Sequence, residues 1–348
     1  MTNRIKKTII CKEIENYTIN SSFNSTYTPK DGDVAIFEVL MLGKHTTVQS
    51  DSKRIVSIFE GDTIMAAFAN RYATSQFEGY VPEQPTEVVD ILGAGGAIGI
   101  VKSKNASFED IEPTKIRLIG YATGTDGNVI NSKFYHTNKI RFNGTVPNNA
   151  KVILSVGSSM DSGKTTSAAF LARGLKTTGK KVAFIKLTGT SFTKDKDYVY
   201  DCGADITVDF TDGGFPSTYM CSKEEIMDLY QTLLNMISFE NPEYIVMEIA
   251  DGLLQRETDF LLKDKSFMNT IHSVIFSCGD SLGVFYGLHW LETAGIIPAV
   301  ICGRFTMSPL LINEVKAKCD VPVLDIHELM SGNFIDLFNK QGVIHQHV

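Results

Sequence analysis

The segment Gly157-Ser-Ser-Met-Asp-Ser-Gly163-Lys164-Thr165-Thr166 constrains the fold more than any other part of this chain. An apolar run, Val152-Ile-Leu-Ser-Val156, precedes it, and Ala168, Ala169, Leu171, Ala172 and Leu175 follow at helical spacing. Strand, glycine loop and helix in that order open a parallel sheet covered by helices. In that setting the loop amides and the helix N-terminus converge on one point and can cradle phosphate oxygens. The candidate contacts are therefore Gly157, Ser158, Ser159, Met160, Asp161, Ser162, Gly163, Lys164, Thr165 and Thr166. Lys164 would set its charge against the β- and γ-phosphates of a nucleotide, and the Thr165 hydroxyl would ligate Mg²⁺. Five residues separate Gly157 from Gly163 where the common pattern has four, and Ser158 stands at the usual first glycine position. The alternative is a Ser/Gly turn ahead of an ordinary helix; the strand before and the helix after favour the phosphate loop.

The alternation of strand and helix continues beyond this point. Apolar runs predict strands over 181–185, 244–248, 273–276, 297–302 and 321–325, and helical spacing predicts helices over 223–237, 281–293 and 310–318. Such an order implies an α/β domain whose parallel sheet carries helices on both faces, with ligands at the carboxyl ends of the strands. Before residue 143 the pattern differs. Short β-rich runs over 33–40, 53–59, 62–68, 99–101 and 115–120 are broken by turn residues, and Gly32-Asp33 and Gly61-Asp62 each introduce an apolar strand. Spacing of this kind predicts a small barrel or sandwich. The polar stretch 143–150, with Gly144 and Pro147, reads as the boundary, so a β-rich domain is expected over 1–147 and the α/β domain over 148–348.

A chain of 348 residues can form two cores, and 43% hydrophobic with 21% charged residues is a globular balance. No stretch approaches the roughly 18 apolar residues of a membrane span. The basic start, Met1-Thr-Asn-Arg-Ile-Lys-Lys, is followed by Glu13 and Glu15 without an apolar segment, so the expectation is a cytoplasmic protein without a secretory signal. Six scattered cysteines without a CxxC pair fit reduced thiols. Residues 1–148 carry 16 basic and 16 acidic side chains, which leaves the net charge of −7 in the remainder. With no basic run in either half, nucleic acid is not expected as a partner.

Glu248, ending the run Tyr244-Ile-Val-Met-Glu, stands where a carboxylate would hold Mg²⁺ directly or through water, with Asp251 as second candidate. The alternative for Glu248 is a loop cap. At these residues the second half resembles the dethiobiotin synthetase-like branch of P-loop NTPases, which includes the molybdopterin-guanine dinucleotide biosynthesis B proteins. Those synthetases share the spacing of Gly, five residues, then Gly-Lys-Thr. The resemblance covers roughly residues 150–326. It implies that Asp161 is an acidic loop residue near the phosphates, that Lys186 faces substrate and phosphate, and that Glu248 is associated with the metal. It implies further that Cys302, Gly303 and Arg304 lie in the stretch that meets the base, although the family's amide residue is absent there. The acid-rich stretch with Asp195, Asp197, Asp201, Asp205, Asp209 and Asp212 occupies the region of substrate and second-metal contacts, and Asp201 is the metal residue expected from it.

Other features carry less chemistry. Residues 70–80, Asn-Arg-Tyr-Ala-Thr-Ser-Gln-Phe-Glu-Gly-Tyr, offer a possible recognition loop, with an ordinary structured loop as the alternative. The Gly93-Ala-Gly-Gly-Ala-Ile-Gly99 run lacks the strand and helix that dinucleotide binding requires. No HxxH pattern exists, and His345 and His347 are too few for a metal site. The expected function is Mg²⁺-dependent binding of ATP, or GTP, with hydrolysis or phosphoryl transfer to a small-molecule substrate. Lys164, Lys186, Asp161 and Glu248 would do the chemistry. The alternative is a nucleotide-dependent switch acting on a protein partner, and the resemblance implies a homodimer under either reading.

Overall fold

The structure, a computed structural model, describes residues 4–135 and 138–338. His345 and His347 lie outside the described residues. The chain divides into two compact units. Unit 1 takes the described residues up to Lys139 together with Gly189–Thr193 and Phe210–Met220; unit 2 takes Ile140–Thr188, Lys194–Asp209 and the described residues from Cys221 onward.

Unit 1 contains β1 (Lys6–Lys7), β2 (Thr18–Asn20), β3 (Val34–Met41), β4 (Thr47–Gln49), β5 (Ile55–Ser57), β6 (Thr63–Phe68), β7 (Phe77–Tyr80), β8 (Val88–Gly93), β9 (Ala97–Lys104), β10 (Lys115–Thr123) and the short α1 (Ser132–Tyr135). Strands β6, β3, β10, β8 and β9 are antiparallel neighbours in that order, and β9 returns to β6 through the parallel pairs Ala67↔Ala97 and Phe68↔Ile98. These five strands thus close into a barrel, and β1, β2 and β7 each pair with one of them, β6, β10 and β9 respectively. Ala35, Phe37, Val39, Ile64, Ala66, Phe68, Val89 and Ile91 share one buried cluster, while the alternate residues Val34, Ile36, Met65 and Ala67 join another. Both faces of β3 and β6 are covered, so these strands read as continuous apolar runs. Contrary to expectation a strand does lead into the glycine run: Gly93 ends β8, residues 94–96 turn, and Ala97 to Gly99 open β9, so a strand and not a helix follows. Residues 77–80 of the expected recognition loop are strand β7, paired with β9.

Unit 2 contains β11 (Lys151–Gly157), α2 (Lys164–Thr177), β12 (Val182–Lys186), α3 (Lys194–Asp201), β13 (Ile206–Asp209), α4 (Lys223–Ile237), β14 (Tyr244–Glu248), α5 (Arg256–Lys263), α6 (Lys265–Met268), β15 (Ser273–Ser277), α7 (Ser281–Thr293), β16 (Val300–Cys302), α8 (Pro309–Lys316) and α9 (Ile326–Ser331). The strands form one parallel sheet in the order β13-β12-β14-β11-β15-β16. Ala168, Ala169, Leu171, Ala172 and Leu175 of α2 pack in one core with Ile153, Phe184, Val246 and Ile275 from four different strands. This is an α/β domain with a parallel sheet and a glycine loop between β11 and α2. Among the described residues, no helix is long and apolar enough to cross a membrane.

One expected strand is cut short, and one strand was not expected. The strand read over 321–325 is reduced to one parallel bridge, Ile301↔Val323. Pro322 has no amide hydrogen and can only accept, from Ile301 N at 2.8 Å, so the ladder stops there. The acid-rich stretch contains a strand, β13, because Ile206 and Val208 pair with Ala183 and Ile185.

Helix α4 starts with a full capping box, in which the Ser222 side chain accepts from Glu225 N at 3.2 Å and Glu225 Oε2 accepts from Ser222 N at 2.9 Å. Ser222→Ala is expected to cost about 1 kcal/mol. Chemical denaturation would show it as a lower midpoint at unchanged slope.

Candidate functional site

The register of the sheet assembles the site. Ser155 of β11 pairs with Glu248 of β14, Glu248 pairs with Lys186 of β12, and Lys186 pairs with Asp209 of β13. The polar end residues of three neighbouring strands therefore form a row, Glu248-Lys186-Asp209, at the carboxyl edge of the sheet beside the loop that follows β11. Each is preceded by apolar residues that fix its strand, so the row is held by buried backbone.

The loop itself is shaped by left-handed backbone at Asp161 (φ 62°) and Gly163 (φ 98°). Alternation of this kind turns successive amides toward one concavity. At Gly163 a side chain would meet Gly303 Cα and Arg304 N, both at 3.1 Å, so glycine serves there for conformation and for close approach. Gly303 likewise sits so close that a Cβ would lie 2.5 Å from the Ser162 carbonyl oxygen, and Arg304 N donates to that oxygen at 3.0 Å. The stretch after β16 is thereby locked onto the loop that follows β11.

Lys164, 6% exposed, opens α2 and turns back to donate to the Ser159 carbonyl at 2.7 Å. Burial pushes its ammonium below the ordinary lysine range, against the opposing pull of Glu248, Asp251 and Asp161. An anion placed in the loop would relieve that penalty. Lys186 behaves in the opposite way. Burial works against its charge, but Glu248 and Asp195 outweigh it and hold the ammonium above its usual range. It remains cationic at all physiological pH.

Glu248 is 1% exposed. Its Oε1 accepts from the Thr165 hydroxyl at 2.9 Å and faces Lys186 Nζ at 3.4 Å, while its buried Oε2 has no hydrogen-bond partner. An orphaned carboxylate oxygen next to a threonine hydroxyl fits a divalent cation of the Mg²⁺ type. Among the described residues no three His, Cys, Asp or Glu side chains converge as a metal cluster.

The expected residues fall into two groups. Gly157 to Thr166, Lys186, Glu248, Gly303 and Arg304 are brought together; Asp251 follows β14, and its neighbour Gly252 lies against Ser158 and Ser159. Cys302 is fully buried in the core, with Sγ 3.4 Å from Ser277 Oγ. Asp201 is exposed at the last residue of α3, whereas Asp195, in the first turn of the same helix, pairs with Lys186. Of this stretch, Asp195 pairs with Lys186, and Asp209 ends the strand beside it. Sequence reasoning missed Lys196 altogether: it is buried and pairs with Asp209 at 3.1 Å. Its signal was an i, i+1 Asp-Lys pair opening a short helix opposite a strand that ends in aspartate.

No family model matches the chain, and no curated protein matches it. Solved structures similar to it include the signal recognition particle receptor FtsY from Elizabethkingia anophelis in complex with GDP (17% identity, 55% of this chain and 64% of that chain, TM-score 0.37). Others are the hydrogenase maturation factor HypB from Archaeoglobus fulgidus (11% identity, 55% and 88%, TM-score 0.36) and HypB from Helicobacter pylori in complex with nickel (17% identity, 58% and 92%, TM-score 0.38). The chain spans less than two thirds of the length of the FtsY chain.

Proposed function

We propose that unit 2 binds a nucleoside triphosphate with Mg²⁺ and hydrolyses it. The observation that carries this reading is the Thr165–Glu248 pair, with its orphaned carboxylate oxygen, set at the first turn of α2 beside the glycine loop and the buried Lys164. The loop amides and the α2 N-terminus would orient the phosphates, Lys164 would take up the charge of the β- and γ-oxygens, and Lys186 would face the transferred group. Mg²⁺ held by Thr165 and Glu248 would neutralise charge developing on the phosphate oxygens. Positioning and charge stabilisation are most of what this chemistry demands of a protein.

Two finer readings follow, and ATP and GTP serve either. One is phosphoryl transfer to a small molecule, as in dethiobiotin synthetase-like enzymes. The other is a switch acting on a protein partner, and a specific observation favours it: the connections after β12 and β13 leave unit 2 as Gly189–Thr193 and Phe210–Met220, which fold with the barrel. The chain that leads away from Lys186 and Asp209 thus passes into unit 1.

The test is thermal stabilisation by ATP, GTP, ADP and a non-hydrolysable triphosphate, each with and without Mg²⁺. A ligand at 100 times its Kd stabilises by about 2.7 kcal/mol. Glu248→Gln is expected to lose the increment that Mg²⁺ adds while keeping the smaller Mg²⁺-independent part. If no nucleotide stabilises the wild type, the proposal fails. A faster turnover on adding a small molecule would favour transfer; a nucleotide-dependent change in partner affinity would favour the switch.

A further inference from the structure

We propose that Asp195, on the first turn of α3, is a positioning residue that holds Lys186 in place for the transferred phosphate, and that the buried pair Lys196–Asp209 anchors that turn. This rests on the nucleotide reading above. Lys186 ends β12 between two carboxylates, Glu248 Oε1 at 3.4 Å and Asp195, which it contacts more closely. Glu248 is also the carboxylate that fits the cation, through Thr165 and its free Oε2. When Glu248 serves the cation, its hold on Lys186 weakens, and Asp195 is the carboxylate left to fix the ammonium.

The helix that carries Asp195 is lightly held. Only Lys196 and Val199 of its eight residues are buried, and Tyr198 and Tyr200 are exposed. Val199 packs in the core, and Lys196 reaches Asp209, the strand residue in register with Lys186. The two bonds alternate in sign: Asp195 on Lys186 and, one residue on, Lys196 on Asp209. A turn fastened in this way cannot shift without moving Lys186. Asp195 itself keeps a third of its side chain exposed, so its charge serves orientation more than burial.

The consequence has an unusual signature. Asp195→Ala removes a negative charge from beside the phosphates, so Mg²⁺-triphosphate should bind as well or up to about tenfold tighter. Lys186 is then free to wander, so single-turnover hydrolysis should fall by about 10- to 100-fold. Asp195→Glu, which keeps the charge, should recover part of the rate. The experiment measures Kd by direct titration, single-turnover rate, melting temperature and the Mg²⁺ concentration for half-maximal rate, in wild type and both variants. A lower rate with unchanged or tighter binding and a melting temperature near wild type bears the proposal out. Binding and rate that worsen together with the melting temperature would show a structural role and overturn it. A rate restored by raising Mg²⁺ would make Asp195 a metal ligand and overturn it as well, as would no change in any quantity. A wild type that neither binds nor hydrolyses nucleotide defeats the functional reading itself, and this inference with it.

Discussion

Lys164→Ala is expected to lower nucleotide turnover by at least about 10²-fold and to remove the stabilisation that Mg²⁺-nucleotide confers. The nucleotide-free protein should not suffer in proportion. Lys164 is 6% exposed, and burial holds its ammonium below the ordinary range. A group whose folded pKa lies below its unfolded value binds fewer protons in the folded state. Stability therefore rises with pH between the two values, and below both the charged form carries a fixed cost. Deleting the charge deletes that cost. Lys164→Met, which keeps most of the stem, should melt at or above the wild type without ligand and show no shift with it. Scanning calorimetry with and without Mg²⁺-nucleotide, alongside turnover, checks both halves. Wild-type turnover in either variant would remove the phosphate loop from the chemistry.

What was legible in the sequence follows from how local each signal is. The strand, loop and helix around Gly157 to Leu175 obey short-range rules, as does α4, and both stand where periodicity put them. Glu248 was legible because it ends an apolar run and the sheet aligns such ends. The barrel was legible only as a class: its closure depends on β6 pairing with β9, some thirty residues apart, which no local pattern encodes. Strand β13 hid among acidic residues, since just four positions alternate there and two of them are polar. The placement of Asp195 rather than Asp201 beside Lys186 was not legible either. Both sit on one short helix, and only the tertiary placement of its first turn against β12 separates them. Nothing in composition marked Gly189–Thr193 and Phe210–Met220 as parts of unit 1, because their place is set by contacts such as Gln49 with Thr193 (2.8 Å) and Thr190 with Ser217.

The second large effect is on stability. Lys196→Met should destabilise unit 2 by about 3–5 kcal/mol, because it removes the ammonium partner of the buried Asp209 carboxylate. The side chains are 5% and 1% exposed, 3.1 Å apart. Against a total of about 5–15 kcal/mol for a domain this is a large loss. The double substitution Lys196→Met with Asp209→Leu should recover most of it, since a buried pair replaced by apolar residues of similar size is often neutral or stabilising. Denaturant titration of the wild type, both single variants and the double variant gives the coupling directly. The same four proteins separate anchoring from chemistry. If the pair merely fastens the first turn of α3, the double variant keeps Asp195 on Lys186 by apolar contact and retains turnover, whereas Lys196→Met alone loses both. A double variant as stable as wild type but without turnover would instead place the charges of Lys196 and Asp209 in the reaction itself.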